Sequence, residues 1–181
     1  RRGGSHRGSG TLAGEGDTIV TNVLVAAAAL VLMEPVTALV HRLVMHGFGM
    51  GWHRSHHEPP RRALEANDLF PVVFASATIV LLAVGVYVSG APSLLVPIGI
   101  GVTAYGAAYL LVHDVVIHRR LAFLHLPDAF LRRWREAHNV HHLFARAPYG
   151  FLAPVVPAEL RRRAAERDVD RTRRTISEVP A

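Results

Sequence analysis

Ten of the chain's twelve histidines fall into four groups: His41 and His46 (HRLVMH), His53, His56 and His57 (HRSHH), His113 and His118 (HDVVIH), and His138, His141 and His142 (HNVHH). The order is H-x4-H followed by H-x2-H-H, and it occurs twice. Imidazole suits iron, zinc, copper and nickel alike, so the repeat points to metal chemistry without choosing the metal. An α-helix turns about 100° per residue, which puts His138 and His142 about 40° apart, able to grip one ion, while His141 aims elsewhere. The same holds for His53, His56 and His57 on a helix. His41 and His46, like His113 and His118, are five apart and would sit about 140° from each other on a straight helix. Either these pairs serve different ions or the helix unwinds between them, and both options favour two metals over one. Ten imidazoles shared by two six-coordinate ions give about five each and leave a position open. A structural zinc needs only four ligands. The carboxylate-bridged di-iron pattern with Glu-x-x-His is missing, so iron, if bound, occupies a histidine-rich site.

Residues beside the histidines offer supporting roles. Glu58, Asp68 and Asp114 border the ligands and are candidates to accept a hydrogen bond from the second imidazole nitrogen; the alternative is a solvated charge. Tyr105, Tyr109 and His113 recur at i, i+4 and i+8, so the two tyrosines could wall an entry path for an apolar substrate. Ordinary helix packing is the favoured alternative there, since Gly99, Gly101, Gly106, Ala104, Ala107 and Ala108 also invite close backbone approach. Trp52 and Trp134 are expected at a membrane interface. His6 and His125 stand outside the repeat and read as surface or packing residues.

The elements that must position these groups are membrane helices. The chain has 181 residues, half of them hydrophobic, and a formal charge of +6. One domain is expected. All its basic residues are Arg, and it has no Cys. That composition excludes a disulfide framework, thiolate-bound metal, iron–sulfur clusters, Schiff-base lysines and a P-loop. Long apolar runs flanked by Arg fit a membrane protein better than a nucleic-acid partner. Ile19–Val40, Leu69–Val88 and Leu94–His118 each reach the ~20 residues a span needs. Ile19–Val40 runs straight into histidines, so it is expected to remain as a span rather than be removed as a signal peptide. The fold class is therefore all-α, an integral membrane bundle of three transmembrane helices. A fourth, made by splitting 91–118 or from 150–157, would be short. Residues 1–18 are expected to be a disordered lead, 19–157 the membrane-embedded domain and 158–181 an Arg-rich cytoplasmic tail. An amphipathic surface helix is expected over 128–146.

Parity places all four histidine groups on one face: span one ends at His41, span two leaves that side and span three returns at His113. Arg42, Arg54, Arg61, Arg62, Arg119, Arg120, Arg132, Arg133 and Arg135 share that face, whereas the turn at 89–93 has no Arg. The positive-inside bias makes it cytoplasmic.

HRLVMHGFGMGWHRSHHEP at 41–59, EANDLFPVVFA at 65–75, TAYGAAYLLVHDVVIHRR at 103–120 and AHNVHH at 137–142 resemble the bacterial β-carotene hydroxylase family. That family belongs to the fatty acid hydroxylase and sterol desaturase superfamily of membrane non-haem di-iron enzymes. The resemblance covers about residues 20–157. It implies a bacterial inner-membrane enzyme that hydroxylates the β-ionone rings of carotenoids at C3, converting β-carotene through β-cryptoxanthin to zeaxanthin. It also implies two iron ions, O2 as cosubstrate and two electrons from ferredoxin and NAD(P)H. The ten clustered histidines match the family's ligand positions one for one. An unactivated ring C–H has no acidic proton, so metal-borne oxidation rather than acid–base catalysis suits that chemistry. Arg119, Arg120, Arg132, Arg133 and Arg135 could dock an acidic electron carrier.

The nearest alternative is a superfamily hydroxylase or desaturase acting on a fatty acid, a sterol or the carotenoid 4-position. A histidine-rich membrane metal carrier would carry polar residues inside its spans, and these spans are almost purely apolar. A bis-histidine haem protein would oppose two or four histidines across helices, not gather ten at one edge.

Overall fold

The computed structural model describes residues 9–58, 64–88, 93–118, 120 and 128–177, with side chains described from residue 15 onward except 128–130 and 170–177. The expectations placed on His6, Arg61, Arg62, residues 89–92, Arg119 and His125 lie outside the described residues. The order is α1 (Ser9–Val40), a π-helical segment (His41–Phe48), α2 (Met50–His57), a 3-10 turn (Ala66–Asp68), α3 (Leu69–Tyr87), α4 (Leu95–Leu110), a second π-helical segment (Leu111–Ile117), α5 (Asp128–Phe144) and α6 (Ala158–Ser177). The class is all-α, as expected. Among the described residues, three stretches are long and apolar enough to cross a membrane, Glu15–Phe48, Ala66–Tyr87 and Leu95–Ile117. Residues 150–157 are not helical, so they supply no fourth span.

One boundary differs from expectation. Helix α1 starts at Ser9 rather than at Ile19, so residues 9–18 of the lead are helical. Extending a helix already nucleated by the apolar stretch costs far less than starting one.

The chain divides into two compact units. The first comprises Arg1–Met33 and Val72–Gly106. Here α1 and α4 approach at backbone distance, because a Cβ on Gly101 would collide with the Ala26 carbonyl oxygen and the Ala29 side chain. Gly99 similarly receives Leu82, whereas Gly106 faces open space. Thr78 and Thr103 turn their hydroxyls back onto the Phe74 and Gly99 carbonyls, at 2.8 and 2.7 Å. No polar side-chain hydrogen is then left for lipid to satisfy at those two positions. Ile19, Val23, Leu24, Val31, Ile79 and Val80 are exposed, as lipid-facing residues are.

The second unit comprises Glu34–Pro71 and Ala107–Ala181 and contains all four histidine groups. Its apolar core includes Met45, Phe70, Val115, Val116, Leu131, Ala137, Val140 and Phe151. Helix α5 is amphipathic as expected: Leu131, Ala137, His138, Val140 and His141 are buried, while Arg132, Arg133, Glu136 and Asn139 are exposed. It stops at Ala145, whose φ of 50° lies in the left-handed region. Helix α6 is a solvated helix stitched by Glu159 to Arg162 and Arg163, both at 2.7 Å.

The π-helical segments carry the H-x4-H pairs. Their backbone bonds skip to the fifth residue, as in His118 N–H to the His113 carbonyl at 3.0 Å and Gly49 N–H to the Val44 carbonyl at 2.8 Å. A turn that closes on i+5 brings residues five apart onto one face. Gly47, at φ −100° and ψ −122°, then breaks the first segment. A Cβ on Gly49 would stand 2.8 Å from Phe70 and 2.9 Å from the Val44 carbonyl oxygen, so only glycine lets α2 start that close.

Candidate metal centre

The histidines converge as two clusters. The ligand atoms of His41, His46, His53 and His141 all lie within 4.8 Å of one another, and so do those of His56, His113, His118 and His138. Each π-helical segment delivers its pair to a single cluster, with ring centroids 5.0 Å apart for His41 and His46 and 4.7 Å for His113 and His118. The helix unwinds between them; that alternative, rather than service to different ions, is the one realised. Each H-x2-H-H motif splits as helix geometry requires. Its i, i+4 pair faces one cluster and its middle histidine faces the other.

His57 and His142 complete the set. The Nε2 of His57 is 3.1 Å from that of His53, and the Nε2 of His142 is 3.2 Å from that of His56. Their rings stack at 4.5 Å, between the clusters. The first cluster thus gathers His41, His46, His53, His57 and His141, and the second His56, His113, His118, His138 and His142.

The outer nitrogens show what the inner ones must be. His41 Nδ1–H donates to the Tyr149 carbonyl at 3.0 Å and His141 Nδ1–H to the Arg146 carbonyl at 2.7 Å. His53 Nδ1–H donates to Asn67 Oδ1 at 2.8 Å, and His113 Nδ1–H to Asp114 Oδ1 at 2.9 Å. A neutral imidazole with its proton on Nδ1 carries a lone pair on Nε2. Yet the Nε2 atoms of His41 and His53 are 3.1 Å apart, those of His46 and His141 3.1 Å, and those of His118 and His138 2.9 Å. Lone pairs aimed at one another across such gaps repel unless a cation sits among them. The donor set therefore fits two metal ions.

Burial keeps these imidazoles neutral. Removal from water pulls His53, His57 and His118 down to about 4 and His141 to about 3. His56 and His138 are pushed well below their ordinary value, by burial first and by neighbouring imidazoles second. At neutral pH their lone pairs are free for a metal.

Of the three carboxylates expected to orient histidines, Asp114 does so. Asp68 instead binds the Arg120 guanidinium at 2.8 Å and caps the Glu65 N–H at 2.9 Å. Glu58 is exposed. Sequence reasoning missed Asn67, which is buried, and Glu65, whose carboxylate lies 3.8 Å from His56 Nδ1 and 3.4 Å from Arg120. Burial pushes the Glu65 carboxyl up, opposed by Arg120. The signal was present in the EAND text, where Glu65 and Asp68 form a reciprocal capping box that aims Asn67 at His53. Tyr109 stacks on His113 at 4.8 Å, while Tyr105 is buried and belongs to the other unit. Among the arginines offered for docking, Arg132 and Arg133 are exposed, Arg120 is held by acids, and Arg135 donates to the Val116 carbonyl at 3.2 Å. Trp134 donates to the Leu152 carbonyl at 3.0 Å, and Trp52 packs on Phe70 at 5.6 Å.

A family model described as fatty acid hydroxylase matches residues 26–156, a stretch that includes every clustered histidine. The chain belongs to the fatty acid hydroxylase family. This hydroxylase is 44% identical over 124 residues to the β-carotene hydroxylase of Pantoea ananas, covering 68% of this chain and 69% of that one. It is 39% identical over 154 residues to the β-carotene hydroxylase of Pseudescherichia vulneris, covering 82% and 86% of the two chains. Similarity extends to the chloroplastic β-carotene 3-hydroxylase 1 of Arabidopsis thaliana, at 37% over 134 residues and 43% of that chain. No solved structure matches this chain. The hydroxylase is an oxidoreductase with two adjacent all-imidazole cages at the ends of membrane-competent helices.

Proposed function

We propose that this chain hydroxylates the β-ionone rings of carotenoids at C3, taking β-carotene through β-cryptoxanthin to zeaxanthin. Each hydroxylation consumes one O2, two electrons and two protons, and yields the ring alcohol and one water. The observation that carries the reading is the pair of four-histidine clusters, each joined by a fifth imidazole, in a chain 39–44% identical to bacterial β-carotene hydroxylases. His41, His46, His53, His57 and His141 would hold one iron, and His56, His113, His118, His138 and His142 the other. The two irons would supply O2 activation and the oxidising power to break an unactivated C–H bond, which no side chain possesses. The residues themselves do the rest. Tyr149, Arg146, Asn67 and Asp114 fix the tautomers of His41, His141, His53 and His113 so that their Nε2 atoms face inward. Neutral ligands leave the ions' charge undiminished for binding O2. Residues 19–157 form the hydroxylase domain, with 158–181 as a tail.

The electrons come from a ferredoxin-type donor fed by NAD(P)H, and exposed Arg132 and Arg133 favour an acidic docking surface. The Arg distribution favours the cytoplasmic face of a bacterial inner membrane for the site. Expression in a β-carotene-producing bacterium, followed by pigment extraction and chromatography, tests the reading. Zeaxanthin from the parent chain and none from His138→Ala is the expected result. Unchanged β-carotene beside a stable, iron-loaded protein would overturn it in favour of a fatty acid or sterol substrate.

A further inference from the structure

Glu34 is the only charged residue between Thr18 and Val40. It lies inside the first membrane-competent stretch, Glu15–Phe48, where a carboxylate is costly unless it has partners. Its partners are backbone amides more than a hundred residues away. Leu152 N–H donates to both carboxylate oxygens at 3.1 Å, and Ala153 N–H donates to Oε1 at 3.0 Å. A Cβ on Gly150 would stand 2.6 Å from that same Oε1, so the loop meets the carboxylate through a position with no side chain. Residues 149–153 have no regular secondary structure, and their N–H groups need such an acceptor.

The loop so held lies against the metal centre. The Tyr149 carbonyl, two residues before Phe151, accepts a hydrogen bond from His41 Nδ1–H at 3.0 Å. Phe151 is buried, stacks flat on His41 at 5.2 Å, and meets His113 edge-on at 5.3 Å and Tyr109 edge-on at 4.6 Å. His41 belongs to the first cluster and His113 to the second. One aromatic ring thus touches a histidine of each cluster.

We propose that Glu34 is a positioning residue which clamps the 149–153 loop, and that the clamped Phe151 ring decides which carbon of an apolar substrate ring faces the metals. The regiochemical half rests on the hydroxylase reading above. The clamp does not.

The full chain in lipid nanodiscs, loaded with iron, tests both halves through Glu34→Ala, Glu34→Gln and Phe151→Leu. Hydrogen exchange at the Leu152 and Ala153 amides is slow in the parent, about tenfold or more faster in Glu34→Ala, and intermediate in Glu34→Gln, whose amide oxygen still accepts. Iron stays at two per chain in all three variants. In β-carotene-producing cells, Glu34→Ala and Phe151→Leu release ring alcohols hydroxylated away from C3, and the purified variants consume more donor electrons per product. Unchanged exchange in Glu34→Ala would remove the clamp. Product still made only at C3 with parental electron use in both variants, or activity falling strictly in step with iron, would remove the role of Phe151. A parent that shows the exchange pattern but hydroxylates no carotenoid overturns the substrate reading and supports the clamp.

Discussion

The two histidine clusters share their inner chemistry and differ in what stands behind it. Around the first, the outer nitrogens of His41, His53 and His141 meet neutral acceptors: two backbone carbonyls and the Asn67 amide. Around the second, His113 donates to the Asp114 carboxylate and His56 faces Glu65. Arg120 ties these acids together, at 2.8 Å from Asp68, 3.4 Å from Glu65 and 3.9 Å from Asp114. A carboxylate behind an imidazole makes it a more basic ligand than a neutral carbonyl does. Two ions in cages of the same composition would therefore differ in affinity and in ease of oxidation, with the second cluster the stronger donor set.

The harshest way to break this comparison is to remove one ligand from each side. His41→Ala and His113→Ala should each reduce bound iron from two to one per chain and lower hydroxylation more than about 100-fold. Loss of both ions from either variant, by metal analysis of purified protein, would show that the cages do not fill independently. A smaller effect is expected from Asp114→Asn, which should weaken metal binding at the second cluster about 10- to 100-fold and leave the first unchanged. Chelator competition with two resolved phases measures it.

Asn67→Ala should cost the first cluster about 3- to 10-fold in affinity, because a neutral hydrogen bond contributes less than a charged one. An Asn67 effect equal to that of Asp114 would erase the distinction between the clusters. The mildest perturbation is acid acting on the metal-free chain. His53, His57 and His118 are pulled to about 4 by burial, against about 6.5 in an unfolded chain. The unfolded chain therefore binds protons first as pH falls. The stability contributed by these neutral imidazoles is complete above about pH 6.5 and is lost as pH drops toward 4. Thermal melts of apo-protein in detergent should decline over that window.

The spans were legible because twenty uncharged residues have few other fates, and the histidine clusters because the repeat is doubled. Which histidine joins which cluster was legible only where helix geometry decides it, as in the splitting of His53, His56 and His57. For His41 and His46 an α-helical period left two alternatives, since nothing in HRLVMH distinguishes a π turn except the spacing itself. Asp114 could be found because it adjoins His113. Tyr149 and Arg146 could not, because they act through carbonyls that every residue possesses. The Glu34 contact with Leu152 was equally silent, as it joins a side chain to backbone across more than a hundred residues.

The π-helical segments have a consequence for descent and for engineering. On an α-helix a metal-gripping pair is spaced i, i+4; on a π turn it is spaced i, i+5. Each H-x4-H box is therefore equivalent to an H-x3-H box that has gained one amino acid. Deleting Val44 or Val116 would restore an α-helical pair and leave the helix on either side in its original phase, because the wider turn absorbs the extra residue locally. The inserted residue thus changes the spacing of the pair without changing the face that it presents.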